Sequence, residues 1–129
     1  MKFLLDTQIF IWWDGEPEKI PPRLLQLCED PANTLVLSIA SVWEMQIKAQ
    51  LGKLEIARPL AEIMAEHQQD NLLELLPVEL AHVLTISQLP FHHKDPFDRF
   101  IIAQALAEQL TLLSVDRVFA QYPVPVLSE

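Results

Sequence analysis

Short, unbroken apolar runs separated by stretches of helical period constrain this chain more than any other feature. The runs at 3–5, 35–37, 72–76, 110–113 and 124–127 are continuous rather than alternating. They read as strands covered on both faces. Between them the apolar positions recur at helical spacing. Residues 22–29 place Leu24, Leu25, Leu27 and Cys28 on one side, and residues 41–51 do so with Val42, Met45, Ile47 and Ala49. Further helices are expected over 60–68, 78–86 and 96–109. Strand and helix largely alternate, which calls for right-handed crossovers and a mostly parallel α/β sheet. The segment from 54 to 86 is richer in helix and is expected to form an arm or clamp beside the sheet. The ten prolines fall mainly at element edges.

The chain of 129 residues is 50% hydrophobic and 21% charged, so it has the material for a packed core and is expected to be one domain, 1–129. No apolar run is long enough to span a bilayer, and the start lacks a signal-peptide pattern. A cytoplasmic protein with no membrane partner is expected. A single cysteine excludes an internal disulfide and a cysteine-rich metal site. With two glycines, Gly15 and Gly52, there is no glycine-rich phosphate loop. The net charge of −9 argues against a broad basic nucleic-acid groove and fits a basic protein partner.

Four acids then draw the eye. Asp6 ends the first strand, Glu44 lies early in the helix after the second, Asp98 begins the long helix at Pro96, and Asp116 follows the fourth strand. In a parallel sheet the carboxyl ends of the strands share one edge, where ligands bind near the switch in strand order. Taken singly, each acid has an ordinary reading as a helix cap. Asp6 could cap a helix from 7 to 13, Ser41-x-x-Glu44 fits a capping box, Asp95 could cap the helix at Pro96, and Asp116 could start a helix to Ala120. As a set they repel one another and raise one another's pKa. A hard cation removes that penalty, and oxygen-only ligands suit Mg²⁺ or Mn²⁺. Two such ions about 4 Å apart can stabilise the attacking and leaving oxygens of a phosphodiester.

The surrounding residues are weighed the same way. Lys48 and Arg99 either hold phosphate or pair with a nearby carboxylate, and Arg117 reads as a surface charge. His92-His93 beside Asp95 suggests a metal cluster, but adjacent histidines in a proline-flanked loop more often pack or face solvent, so they are left outside the site. Trp12 and Trp13 are assigned to core or subunit contact rather than to stacking on bases. Trp43 is expected to pack behind Glu44, and Cys28 to be a buried small hydrophobe.

The residues around the four acids resemble the PIN-domain family, in its VapC toxin type. Phe3-Leu4-Leu5-Asp6-Thr7 is similar to the family's opening strand and first acid. Ser38-x-x-Ser41-x-Trp43-Glu44, with Lys48 and the run Leu51-Gly52-Lys53-Leu54, resembles a second motif. Asp95-Pro96-Phe97-Asp98-Arg99-Phe100-Ile101-Ile102-Ala103-Gln104-Ala105 resembles the third closely. Leu113-Ser114-Val115-Asp116-Arg117-x-Phe119 resembles the fourth. The resemblance implies a three-layer α/β/α sandwich and Mg²⁺- or Mn²⁺-dependent hydrolysis of RNA, leaving a 5′-phosphate and a 3′-hydroxyl. It also implies the toxin half of a toxin–antitoxin pair, an antitoxin that closes the site with a basic tail, and a homodimer. Carried over by position, Asp6, Glu44 and Asp98 are the core acids and Asp116 the fourth ligand. Thr7 and Ser114 are hydroxyls supporting them, and Asp95 is given the capping role. Two other readings stand beside this one: a catalytically idle interaction module of the same fold, and a receiver-like phospho-acceptor. The latter is disfavoured because Asp6 stands alone and 124–129 holds no lysine.

Overall fold

The computed structural model describes residues 1–128, so Glu129, the last residue of the expected domain, lies outside the described residues. Five strands, β1 (Lys2–Leu5), β2 (Thr34–Ser38), β3 (Glu74–Leu76), β4 (Thr111–Leu113) and β5 (Val126–Leu127), form one sheet in the order β3-β2-β1-β4-β5. Every pairing is parallel. Six α-helices cross between them: α1 (Thr7–Gly15), α2 (Pro22–Glu29), α3 (Ile39–Gln50), α4 (Leu60–Asp70), α5 (Leu80–Thr85) and α6 (Pro96–Glu108).

Side-chain alternation along the strands divides the core in two. Phe3 and Leu5 of β1, with Leu35, Leu37 and Leu113, face Ile9 and Phe10 of α1, Leu24 and Cys28 of α2, and Ile63 and Met64 of α4. Leu4, Val36 and Leu112 point the other way, onto Ile101, Ile102, Ala103 and Ala105 of α6 and onto Phe119 and Tyr122. Burial on both faces is why these strands read as solid apolar runs. The result is the expected three-layer α/β/α sandwich.

Several boundaries differ from expectation, each for a local reason. β3 starts at Glu74 rather than 72, because Leu72 sits at φ 54, outside the strand region. α6 ends at Glu108 because Gln109 takes the left-handed conformation at φ 56 and donates its N–H to the Ala105 carbonyl, as glycine usually does at a helix end. β5 is only two residues long. The helix-rich segment lies beside the sheet and is packed onto it: α4 carries core residues, β3 joins the sheet, and α5 lies against α6. The α5–α6 contact contains a buried His82 whose Nε2 is 3.0 Å from Glu108 Oε2. Its Nδ1 accepts the Glu79 N–H at 3.2 Å, so the ring proton is on Nε2 and ties the two helices together.

Candidate active site

The strand order reverses around β1, and the carboxyl ends of β1 and β4 lie side by side. Asp6 follows β1, and its N–H donates to the Leu113 carbonyl at 2.9 Å, which pins the two strand ends together. Asp116 follows β4 by three residues and begins a 3-10 turn, Arg117–Gln121. Glu44 arrives on α3, whose N-cap is Ser38, with its hydroxyl accepting the Ala40 N–H at 3.0 Å. The capping box expected at Ser41 is therefore not formed. The helix starts three residues earlier, which leaves Glu44 inside it and free to turn toward β1. Asp98 stands in the first turn of α6, and Asp95 caps that helix by accepting the N–H groups of Phe97 and Asp98 at 2.8 and 3.4 Å.

Asp6, Glu44, Asp98 and Asp116 line one open cleft together with Thr7, Lys48 and Asp95. A larger hollow, about 420 Å³ against about 270 Å³, opens at the opposite ends of β2 and β3 and holds none of the four. Size therefore does not locate this site; the convergence of acids does.

Three of the four acids are held by a neighbour. The Ser114 hydroxyl donates to Asp6 Oδ2 at 2.8 Å, and the same oxygen of Ser114 accepts the Asp116 N–H at 3.0 Å, so one buried serine links two of the acids. Thr7 Oγ1 lies 2.9 Å from Glu44 Oε1 and equally close to Ser41 Oγ. Lys48 Nζ donates to Glu44 Oε2 at 2.8 Å, and this contact raises the lysine's pKa. Of its two expected outcomes, Lys48 takes the one that orients a carboxylate. Asp116 Oδ1 accepts the Val118 N–H at 2.9 Å.

The electrostatics match a crowded anionic pocket. Burial pushes the Asp6 carboxyl up to about 6, opposed by the Ser114 hydrogen bond and assisted by the charges of Glu44 and Asp116. Burial likewise pushes Asp98 up to about 7, with Asp95, Asp6 and Glu44 adding repulsion and His93 relieving some of it. The charge of Asp6 thus acts on Asp98 across the cleft, although the two are far apart in sequence. The donors are hard oxygens around a common space, which fits a Mg²⁺- or Mn²⁺-type ion and not a soft one.

Three sequence expectations change here, for Arg99, Trp43 and His93, and the one for Trp12 and Trp13 holds. Arg99 is buried, and its guanidinium donates to the carbonyl oxygens of Pro90 and Ile86 at 2.8 and 3.4 Å and lies over the Phe91 ring. It neither meets a carboxylate of the cleft nor stands free for phosphate; it holds the loop leading into α6. Trp43 does not pack behind Glu44, being 62% exposed with its ring edge-on to Phe97. Trp12 and Trp13 are half-buried against the core, with Trp13 beside His67. Finally, His93 does reach the site: its Nε2 is 2.9 Å from Asp116 Oδ2, and one donor atom each from His93, Asp98 and Asp116 lie within 4.8 Å of one another. The local signal, adjacent histidines beside Asp95, did not point to Asp116, because the 23 positions separating His93 from Asp116 are closed only by the tertiary fold.

A family model described as the PIN domain matches residues 3–125. The chain belongs to the PIN-domain family. Among characterised relatives, Ribonuclease VapC22 of Mycobacterium tuberculosis is 28% identical over 129 residues, covering 95% of either chain. Solved structures of similar fold include VapBC2 of Rickettsia felis bound to a DNA fragment from its promoter, with TM-score 0.72, 18% identity and 98% coverage of both chains. VapBC-5 of Mycobacterium tuberculosis matches with TM-score 0.61 and 20% identity, covering 98% of this chain and 95% of that one. FitAcB of Neisseria gonorrhoeae matches with TM-score 0.63 and 19% identity, covering 97% and 96%. At these identities the structural likeness bears on the fold, and it agrees with the all-parallel sheet of this PIN domain.

Proposed function

We propose that this PIN domain is a divalent-metal-dependent endoribonuclease and the toxin of a toxin–antitoxin pair. The observation that carries the reading is the meeting of four carboxylates from distant parts of the chain on the carboxyl edge of β1 and β4. Asp6, Glu44, Asp98 and Asp116 would hold the ion. Bound there, Mg²⁺ or Mn²⁺ supplies charge stabilisation at the phosphodiester and lowers the pKa of attacking water. The chain's own groups do the rest. Ser114 and Thr7 fix Asp6 and Glu44, Lys48 holds the second oxygen of Glu44, and the open cleft admits a single strand from the sheet edge. An idle interaction module gains nothing from acids kept together against their repulsion, two of them with raised pKa.

RNA is the substrate favoured by the ribonuclease among the relatives, and the VapBC complexes among the structural neighbours favour an antitoxin partner. A net charge of −9 suits a basic segment of such a partner. A homodimer is also proposed. Leu80, Val83 and Leu84 project from one side of α5 at 73, 47 and 61% exposure, an apolar strip that Trp12 and Trp13 do not provide.

Purified protein incubated with RNA and Mn²⁺ or Mg²⁺ should cleave it, and chelation should stop cleavage. Asp98→Asn should lose cleavage while keeping its circular dichroism spectrum. Undiminished cleavage by that variant would remove the acids from the reaction.

A further inference from the structure

We propose that His93 is a positioning residue for Asp116, locked by Tyr122 in the tautomer that donates to the carboxylate. The role rests on the reading of the four acids as a metal-dependent nuclease site. The Tyr122 oxygen lies 3.1 Å from the backbone nitrogen of His92, 2.8 Å from that of His93 and 3.0 Å from His93 Nδ1. Backbone N–H groups only donate, so they take both lone pairs of the phenol oxygen. The phenol's own proton is left to donate, and Nδ1 is the acceptor placed to receive it. Nδ1 therefore carries no proton, and the ring's proton is on Nε2. That N–H points to Asp116 Oδ2 at 2.9 Å.

The ring has little freedom to do otherwise. It stacks on Tyr122 at 5.5 Å and 19°, and its centroid is 4.6 Å from that of Phe119. The His93 side chain is 9% exposed, against 38% for Asp116. Without it, Asp116 would be held only by the Val118 N–H on its other oxygen, at the entrance to a short 3-10 turn. With it, each carboxylate oxygen accepts one donor and keeps a lone pair for the cleft. These hydrogen bonds exclude His93 as itself a ligand beside Asp98 and Asp116. A free Nε2 lone pair requires a proton on Nδ1, facing a phenol oxygen with no lone pair left.

The test compares the wild type with His93→Ala, His93→Gln, His93→Asn and Tyr122→Phe. A glutamine amide carries an N–H near the position of Nε2, whereas an asparagine amide reaches only to Nδ1. Imidazole ¹⁵N spectra of the metal-free wild type at about pH 8 should show His93 protonated on Nε2, and Tyr122→Phe should mix the tautomers. His93→Ala and His93→Asn should weaken Mn²⁺ binding by calorimetry about 10- to 100-fold, with cleavage falling in step, and His93→Gln should recover to within about threefold of wild type. A proton on Nδ1, a glutamine variant no better than alanine, or an alanine variant that binds Mn²⁺ like the wild type would each overturn the role. Wild-type protein that neither binds Mn²⁺ nor cleaves RNA would instead overturn the nuclease reading, and this role with it.

Discussion

Asp6 and Asp98 set the terms at the residue scale, because their pKa values of about 6 and about 7 lie well above those of exposed carboxylates. A carboxyl whose folded pKa exceeds its unfolded one holds its proton more tightly when folded. Its contribution to stability is complete below the unfolded pKa, near 4, and is lost as pH rises through 6 and 7. For Asp6 the loss is on the order of 3 kcal/mol. The metal-free protein should therefore gain stability from these two groups between about pH 8 and pH 5. Asp98→Asn should melt above wild type at pH 8, with the gap closing toward pH 5, as followed by thermal denaturation in chelator. A gap that stays constant with pH would show that charge burial is not its source. Mn²⁺ should raise the melting temperature of wild type and leave that of Asp98→Asn nearly unmoved, since a ligand stabilises only the state that binds it.

Helix starts are the element-scale feature that matters, since three of the four acids reach the cleft next to one or on one. Ser38 ends β2 and caps α3 at once, and its hydroxyl is fully buried. Ser38→Ala should cost about 1–2 kcal/mol in urea denaturation. Asp95 shares the cleft with the acids but uses one oxygen to cap α6. If capping is its work, Asp95→Asn should keep both stability and cleavage, while Asp95→Ala loses about 1 kcal/mol. Loss of Mn²⁺ binding in the asparagine variant would count against capping as its role. The α3 start was only half legible in the sequence. Ser38 and Ser41 both offer caps, and the choice fell to Ser38 because β2 delivers the chain there, with Leu37 already packed in the core. The starts of α6 and of the Arg117–Gln121 turn were plainer, as Asp95-Pro96 and Asp116 each carry their own local signal.

The charge balance governs the whole molecule. Lys48 is spent on Glu44 and Arg99 on two carbonyls, which leaves Lys94 and Arg117 as exposed cations next to His93 and Asp116. With about two phosphate contacts, the logarithm of RNA affinity should fall with that of salt at a slope of about −1.4. A slope several times steeper would mean a basic surface that the fold does not display. The α5 strip makes a separate prediction. Wild type should elute as a dimer in size-exclusion chromatography, and Leu84→Asp should shift it toward the monomer without loss of secondary structure.

Much of this protein was determined by sequence alone. The apolar runs specified a parallel sheet buried on two faces, because only such strands dispense with alternation. The four acids and the segment Asp95–Ala105 carried the family. What the tertiary structure decided were the contacts that close long loops, Ser114 to Asp6, Thr7 to Glu44 and His93 to Asp116, and the burial that turns Arg99 back onto the loop before α6. Periodicity and capping are local properties, readable over a few residues. The partner of a buried polar group is set by where distant strands end and by which donors are already satisfied, and that is known only when the chain is folded.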